Sequence, residues 1–180
     1  MNIIEIKDKK FKKLISENEI LNAVGRIANK INKDFKDEEV IFVSTLNGSF
    51  IYAADLVRRI TVKNKITFIK LRSYYSDKSS GNVTELIGLS EELENKNVII
   101  LDDIIDTGTT IQYLIQEIRK HEPKQVKTAI LFVKNIGDKR RLEPDYKGIE
   151  IPSLYVVGYG LDYMGYGRNL KELYIEIKEV

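Results

Sequence analysis

Short, mostly apolar runs alternate along this chain with apolar residues spaced by three and four. Residues 40–46 (V-I-F-V-S-T-L), 98–101 (V-I-I-L) and 126–133 (V-K-T-A-I-L-F-V) are runs of strand length and predict buried strands. Between them the period changes. Ser16 and Glu19 have the S-x-x-E form of a capping box, and Ile20, Val24, Ile27, Ala28 and Ile31 follow at helical spacing. Phe50, Ala53, Ala54, Val57 and Ile60 predict a second helix, and Ile111, Leu114, Ile115 and Ile118 a third. Weaker signals mark strands at 1–6, 66–71 and 154–158, and a last one where Leu173, Ile175 and Ile177 alternate. Residues 72–83 read as a mobile loop, and 135–152 as a polar connection. Strands alternating with helices predict an α/β fold with a mainly parallel central sheet flanked by helices. Ligands in such folds sit at the C-terminal ends of the strands. The length of 180 residues predicts a single domain, 1–180.

Candidate chemistry concentrates at the end of one strand. After the apolar run 98–101 come Asp102 and Asp103, then two isoleucines, Asp106, and the loop Thr107-Gly108-Thr109-Thr110 opening the third helix. A Thr/Gly loop at a helix start offers free N–H groups, hydroxyls and the positive end of the helix dipole, which suits a phosphate. The acidic pair suits a divalent cation or a row of sugar hydroxyls. A strand end with solvated acids and a Thr N-cap explains one or two of these residues but not three acids beside such a loop. No G-x-x-x-x-G-K-[ST] sequence occurs, so this is not a Walker A loop. A second strand, Gly turn and helix start at Asn47-Gly48-Ser49 is a further candidate anion site, or an ordinary turn with Ser49 as N-cap. The lone histidine, His121, lies near a helix C-terminus and is assigned no chemistry.

Composition narrows the partners. Lys and Arg number 29 against 27 Asp and Glu, a net +2, which gives no electrostatic reason to expect nucleic acid. The absence of cysteine excludes disulfides and thiolate metal sites, and makes a cytoplasmic location the default expectation. No apolar run reaches the ~18 residues of a membrane span, and the N-terminal stretch lacks a signal-peptide core. No membrane partner is expected.

The stretch 98–110 resembles the phosphoribosyl-pyrophosphate (PRPP) motif of the type I phosphoribosyltransferase family, most closely its hypoxanthine-guanine branch. The likeness extends to Val133-Lys134 and to Y-V-V-G-Y-G-L-D-Y at 155–163, followed by Arg168. It implies a type I phosphoribosyltransferase fold with a small hood subdomain, formed from about 134–180 plus the N-terminal segment. It implies Mg²⁺-dependent transfer of phosphoribose from PRPP to a 6-oxopurine. On that resemblance Asp106 is the catalytic acid/base. Asp102, Asp103, Thr107, Gly108, Thr109 and Thr110 bind PRPP. Asn47, Gly48, Ser49 and Arg168 face pyrophosphate, with a cis Leu46-Asn47 peptide. Ser73 and Tyr74 belong to a lid at about 72–83. Lys134, Tyr155, Val156 and Asp162 hold the purine, and Asp102, Asp103 and Asp162 the metal. Relatives often carry Lys at the position of Asn47, and Lys or Arg at that of Thr109. A homodimer or homotetramer is the usual assembly in the family. A nucleotide-sensing regulatory protein and a xanthine-preferring enzyme are the alternatives on the same fold.

Overall fold

The structure is a computed structural model that describes residues 3–73, 83–87, 90–139 and 141–177, with backbone alone for 71–73 and 83–87. The chain opens with a hairpin, β1 (Ile3–Ile6) and β2 (Lys9–Ile15), and then α1 (Glu17–Asp34). The capping box forms as the sequence predicts: the Ser16 hydroxyl accepts from the Glu19 N–H while the Glu19 carboxylate accepts from the Ser16 N–H. Next come β3 (Val40–Thr45), α2 (Phe50–Val57), β4 (Asn64–Ser73), β5 (Val83–Ile87) and β6 (Asn97–Ile105). The chain continues through α3 (Thr109–Arg119), β7 (Gln125–Asn135), β8 (Tyr146–Pro152), β9 (Val156–Val157) and β10 (Leu173–Glu176).

Two sheets result. The larger has the order β5-β4-β3-β6-β7-β8 and is parallel except for the antiparallel β4–β5 pair. Its central strands are apolar on both faces because helices cover both. Phe42, Ile99, Leu101, Ala129 and Leu131 join the core under α1 and α2, while Ile41, Val43, Val98, Ile100 and Ile130 pack with Ile111, Leu114 and Ile118 of α3. The smaller sheet, β1-β2-β10-β9, is antiparallel and joins the first and last parts of the chain. Ile15, Val156, Leu173 and Ile175 carry it into the same core as α1. This sheet and the turns between β9 and β10 are termed the hood; residues 146–152, which the expected range from about 134 included, belong instead to the larger sheet.

Two expectations are corrected. The polar connection at 135–152 contains β8, an edge strand next to β7. Its Gly148 and Pro152 read as breakers, but an edge strand tolerates both. Gly148 is required by close packing, since a Cβ there would lie 2.4 Å from the Leu131 carbonyl oxygen. The loop expected at 72–83 is shorter than its sequence suggests, because Arg72 and Ser73 pair with Thr84 and Val83 as strands. The remainder of that loop, with Tyr74, lies outside the described residues.

Glycine substitutions separate propensity from packing. Gly25 lies inside α1 with nothing within 4 Å of an added Cβ. Gly25→Ala should stabilise the chain by about 0.5–1 kcal/mol. Gly148→Ala should destabilise it by about 1–3 kcal/mol, since β8 must move off β7. Thermal unfolding of the two variants should bracket the parent. A Gly148→Ala protein as stable as the parent would contradict the β7–β8 packing.

Candidate active site

The polar groups that the sequence singles out gather at the C-terminal ends of β3, β6 and β7. Strand β6 runs past its apolar half and through the acids, so Asp102 and Asp103 are strand residues, with their carboxyls close enough to hydrogen-bond one another. Gly108 then caps α3 with φ +87°, a left-handed conformation that favours glycine. The first hydrogen bond of α3 runs from the Gln112 N–H to the Gly108 carbonyl at 2.9 Å. The N–H groups of Thr109, Thr110 and Ile111 therefore have no partner within the helix. They face a cleft of about 290 Å³ that is also lined by Asp106, Thr107 and Lys134. The Thr107 and Thr109 hydroxyls lie 3.1 Å apart at its mouth. Such a cradle holds a phosphate by backbone donors, without a lysine or arginine at position 109.

A second cleft, of about 160 Å³, adjoins the first and shares Asp102, Asp103 and Thr110 with it. Its other wall is the turn after β3, where Thr45, Leu46 and Gly48 line it. The Leu46-Asn47 peptide is cis, as the family resemblance implies. Ser49 is not a side-chain N-cap of α2. Its hydroxyl is buried and bonds to the Thr45 carbonyl and, at 2.6 Å, to the Ser44 hydroxyl, which pins the turn to its own strand. Asn47 is exposed. Gly48 presses against the acids so closely that a Cβ would fall 1.7 Å from an Asp103 carboxylate oxygen.

Burial pushes both carboxyls up from the ordinary carboxylate range, and the charge of Asp103 adds to the effect on Asp102. The Thr45 hydroxyl, which donates to Asp102, opposes the shift there, and the Arg168 guanidinium nearby opposes it at Asp103. Two crowded acids with hard oxygen donors, opening onto two clefts, fit a divalent cation.

A further wall of the first cleft comes from β7, while Tyr155, Val156, Asp162 and Arg168 of the hood line neither cleft. Lys134 reaches Asp106 at 3.1 Å across the first cleft. Tyr155 is 42 % exposed and precedes β9, the outer strand of the hood sheet. The Tyr155 carbonyl accepts from the Glu176 N–H, so the Val156 carbonyl points the opposite way, off the sheet edge. Asp162 gives one carboxylate oxygen to Arg168 at 2.6 Å and the other to the Gly165 N–H at 2.6 Å. Arg168 also donates to the Gly160 carbonyl at 2.7 Å. Asp162 thus serves the arginine, and no group of three potential metal ligands including it occurs among the described residues. Ser73 is described by backbone only and Tyr74 not at all.

Two contributors escaped the sequence reading. Thr45 holds Asp102 through a hydroxyl at the end of a strand 57 residues away, and nothing local announces it. Gly160 lies against the turn after β3: a Cβ there would come within 2.0 Å of the Gly48 carbonyl oxygen. Its signal was available, since a glycine between Tyr159 and Leu161 after an apolar strand marks close backbone approach.

Comparisons with known proteins agree with this geometry. The family model for the phosphoribosyl transferase domain matches residues 13–164. A hypoxanthine-guanine phosphoribosyltransferase of Aquifex aeolicus is 37 % identical over 173 residues, covering 95 % of this chain and 97 % of its own. A crystal structure of a hypoxanthine-guanine phosphoribosyltransferase from Bacillus anthracis superposes with a TM-score of 0.86 at 36 % identity, over 96 % of this chain and 100 % of that one. A Trypanosoma cruzi hypoxanthine phosphoribosyltransferase variant, solved with its product IMP, gives a TM-score of 0.86 at 31 % identity over 97 % and 93 %.

Proposed function

The chain belongs to the phosphoribosyltransferase family, within its hypoxanthine-guanine branch, and from that premise we propose that it transfers phosphoribose from PRPP to a 6-oxopurine, forming IMP or GMP and pyrophosphate. The observation that carries this reading is the convergence of three parts on adjoining clefts: the helix N-terminus at Gly108, the acid pair, and the facing Lys134 and Asp106.

The 5′-phosphate sits on the N–H groups that open α3, and the pyrophosphate lies in the second cleft between Gly48 and Arg168. Lys134 is donor-only, so it accepts a partner with a 6-oxo group and meets a second donor in a 6-amino purine. Tyr155 supplies a ring face, and the Val156 carbonyl takes the N1–H. The purine N9 forms its bond to C1′ of the ribose as the bond from C1′ to the pyrophosphate oxygen breaks. The N7 proton passes to Asp106, which releases Lys134 as it does so. Asp102 and Asp103 hold the ribose hydroxyls and are the residues that would hold Mg²⁺. The ion, when bound, neutralises charge on the leaving pyrophosphate. Residues 72–83 act as the lid that keeps water from the reacting centre. The whole chain acts as one catalytic domain with its hood, in a homodimer or homotetramer in the cytoplasm. No helix among the described residues is long and apolar enough to cross a membrane.

The direct test is an ultraviolet assay with PRPP, Mg²⁺ and hypoxanthine, guanine, xanthine or adenine in turn. The expected result is turnover of hypoxanthine or guanine, abolished by EDTA and absent with adenine. Measurable PRPP binding without turnover of any base would overturn the enzyme reading in favour of a regulatory one. Asp106→Asn tests the acid/base assignment. It should cut kcat by about 10²–10⁴-fold and leave PRPP affinity near the parent's, and an unchanged kcat would remove Asp106 from that role.

A further inference from the structure

The chain leaves β9 through three residues in the left-handed region: Gly158 at φ +107°, Tyr159 at +49° and Gly160 at +99°. Glycine suits the outer two. A tyrosine between them is held at a conformational cost that a third glycine would avoid, which calls for a reason in its side chain. That side chain is buried in the main core with α1 and α2. Its hydroxyl donates to the Asp55 carboxylate of α2 at 2.6 Å. Burial and that carboxylate push the phenol up from its ordinary range, so it stays a donor at any working pH. Asp55 is itself fixed on α2, where Arg58 pairs with its other oxygen and Arg59 donates to its backbone carbonyl at 2.6 Å.

What the bond positions lies one residue further on. A Cβ at Gly160 would come within 2.0 Å of the Gly48 carbonyl oxygen, and a Cβ at Gly48 within 1.7 Å of an Asp103 carboxylate oxygen. Gly48 lines the second cleft together with both acids. The Gly160 carbonyl accepts from the Arg168 guanidinium at 2.7 Å, and the Gly160 N–H donates to the Arg168 carbonyl at 3.0 Å. Within 158–160 only Tyr159 has a side chain with which to tie the segment down. The other end of the tie is set as well, because α2 begins beside Ser49, whose hydroxyl is bound back onto β3. The series of contacts from Asp55 through Tyr159, Gly160 and Gly48 to Asp103 therefore starts on α2 and ends on β6.

We propose that Tyr159 is a positioning residue for the second cleft: its hydrogen bond to Asp55 seats residues 158–160 on α2, keeps the Gly48 turn pressed to Asp103, and holds the carbonyl that orients Arg168. This rests on the reading of that cleft as the place of pyrophosphate and Mg²⁺. Nucleotide binding does not depend on the bond in the same way, because Lys134 is carried by β7, the cradle by α3, and β9 by its own pairing with β10.

Tyr159→Phe keeps the ring in the core and removes only the donor. Magnesium pyrophosphate, titrated calorimetrically into the IMP-saturated protein, should bind the variant about tenfold more weakly than the parent, the worth of roughly one net hydrogen bond. The KM for PRPP should rise with it. IMP titrated into the free protein should bind the variant as it binds the parent, whereas a general loosening of the hood would weaken both ligands alike. In an Asp55→Ala background the same substitution should change nothing further, since the bond is already gone. Unchanged pyrophosphate binding, equal losses for both ligands, or a second loss in the Asp55→Ala background overturns this inference and leaves the function intact while the parent turns over a 6-oxopurine. A parent that binds neither IMP nor magnesium pyrophosphate and turns over no base overturns both.

Discussion

Asp102 and Asp103 stand side by side at the crowded end of β6, where burial and their own repulsion oppose charge. Much of the local structure answers that constraint. The Thr45 hydroxyl donates to one acid, and the Arg168 guanidinium stands near the other. Gly48 leaves room for the Asp103 carboxylate where any side chain would intrude, and Gly160 leaves room for Gly48. Backbone close approaches thus run from the parallel sheet, through the turn after β3, to the hood. A chain that only needed to fold would not place two acids there. One that binds a divalent cation and a pyrophosphate in the same place has a reason to.

The division of labour follows from the two sheets. The parallel sheet, covered on both faces, supplies rigid strand ends, and these carry the groups whose positions must be accurate: the acids, Asp106, Lys134 and the cradle at Gly108. In the proposed function the hood would contribute carbonyls and an aromatic ring from a short edge strand and the turns after it. Its attachment is partly apolar, through Val156, Tyr159 and Leu173 in the main core, and partly polar, through the Tyr159 hydroxyl on Asp55 of α2 at 2.6 Å.

The parts of this arrangement differ in how clearly the sequence announces them. Strands β3, β6 and β7 and all three helices were legible because burial on both faces, or on one stripe, imposes a period that local sequence records. The cradle at 106–110 was legible because its chemistry is contiguous. Strand β8 was not, since an edge strand with Gly148 and Pro152 obeys weaker rules. Nor was β2, whose lysines alternate with few apolar residues although Phe11 and Ile15 are buried. Thr45 and the Tyr159–Asp55 bond were beyond reach for a different reason. They depend on the folding of distant segments onto one another, which no local pattern encodes. Ser49 shows the converse: a serine before a helix reads as a cap, yet tertiary packing turned its hydroxyl back onto β3.

The measurement that bears most directly on this account is a crystal structure of the protein with IMP, pyrophosphate and Mg²⁺. The account expects the 5′-phosphate on the amides of 109–111, the purine oxygen on Lys134 with its bond to Asp106 opened, and the pyrophosphate between Gly48 and Arg168. A nucleotide seated elsewhere, such as the charged groove between the β1–β2 turn and Glu176, would contradict it.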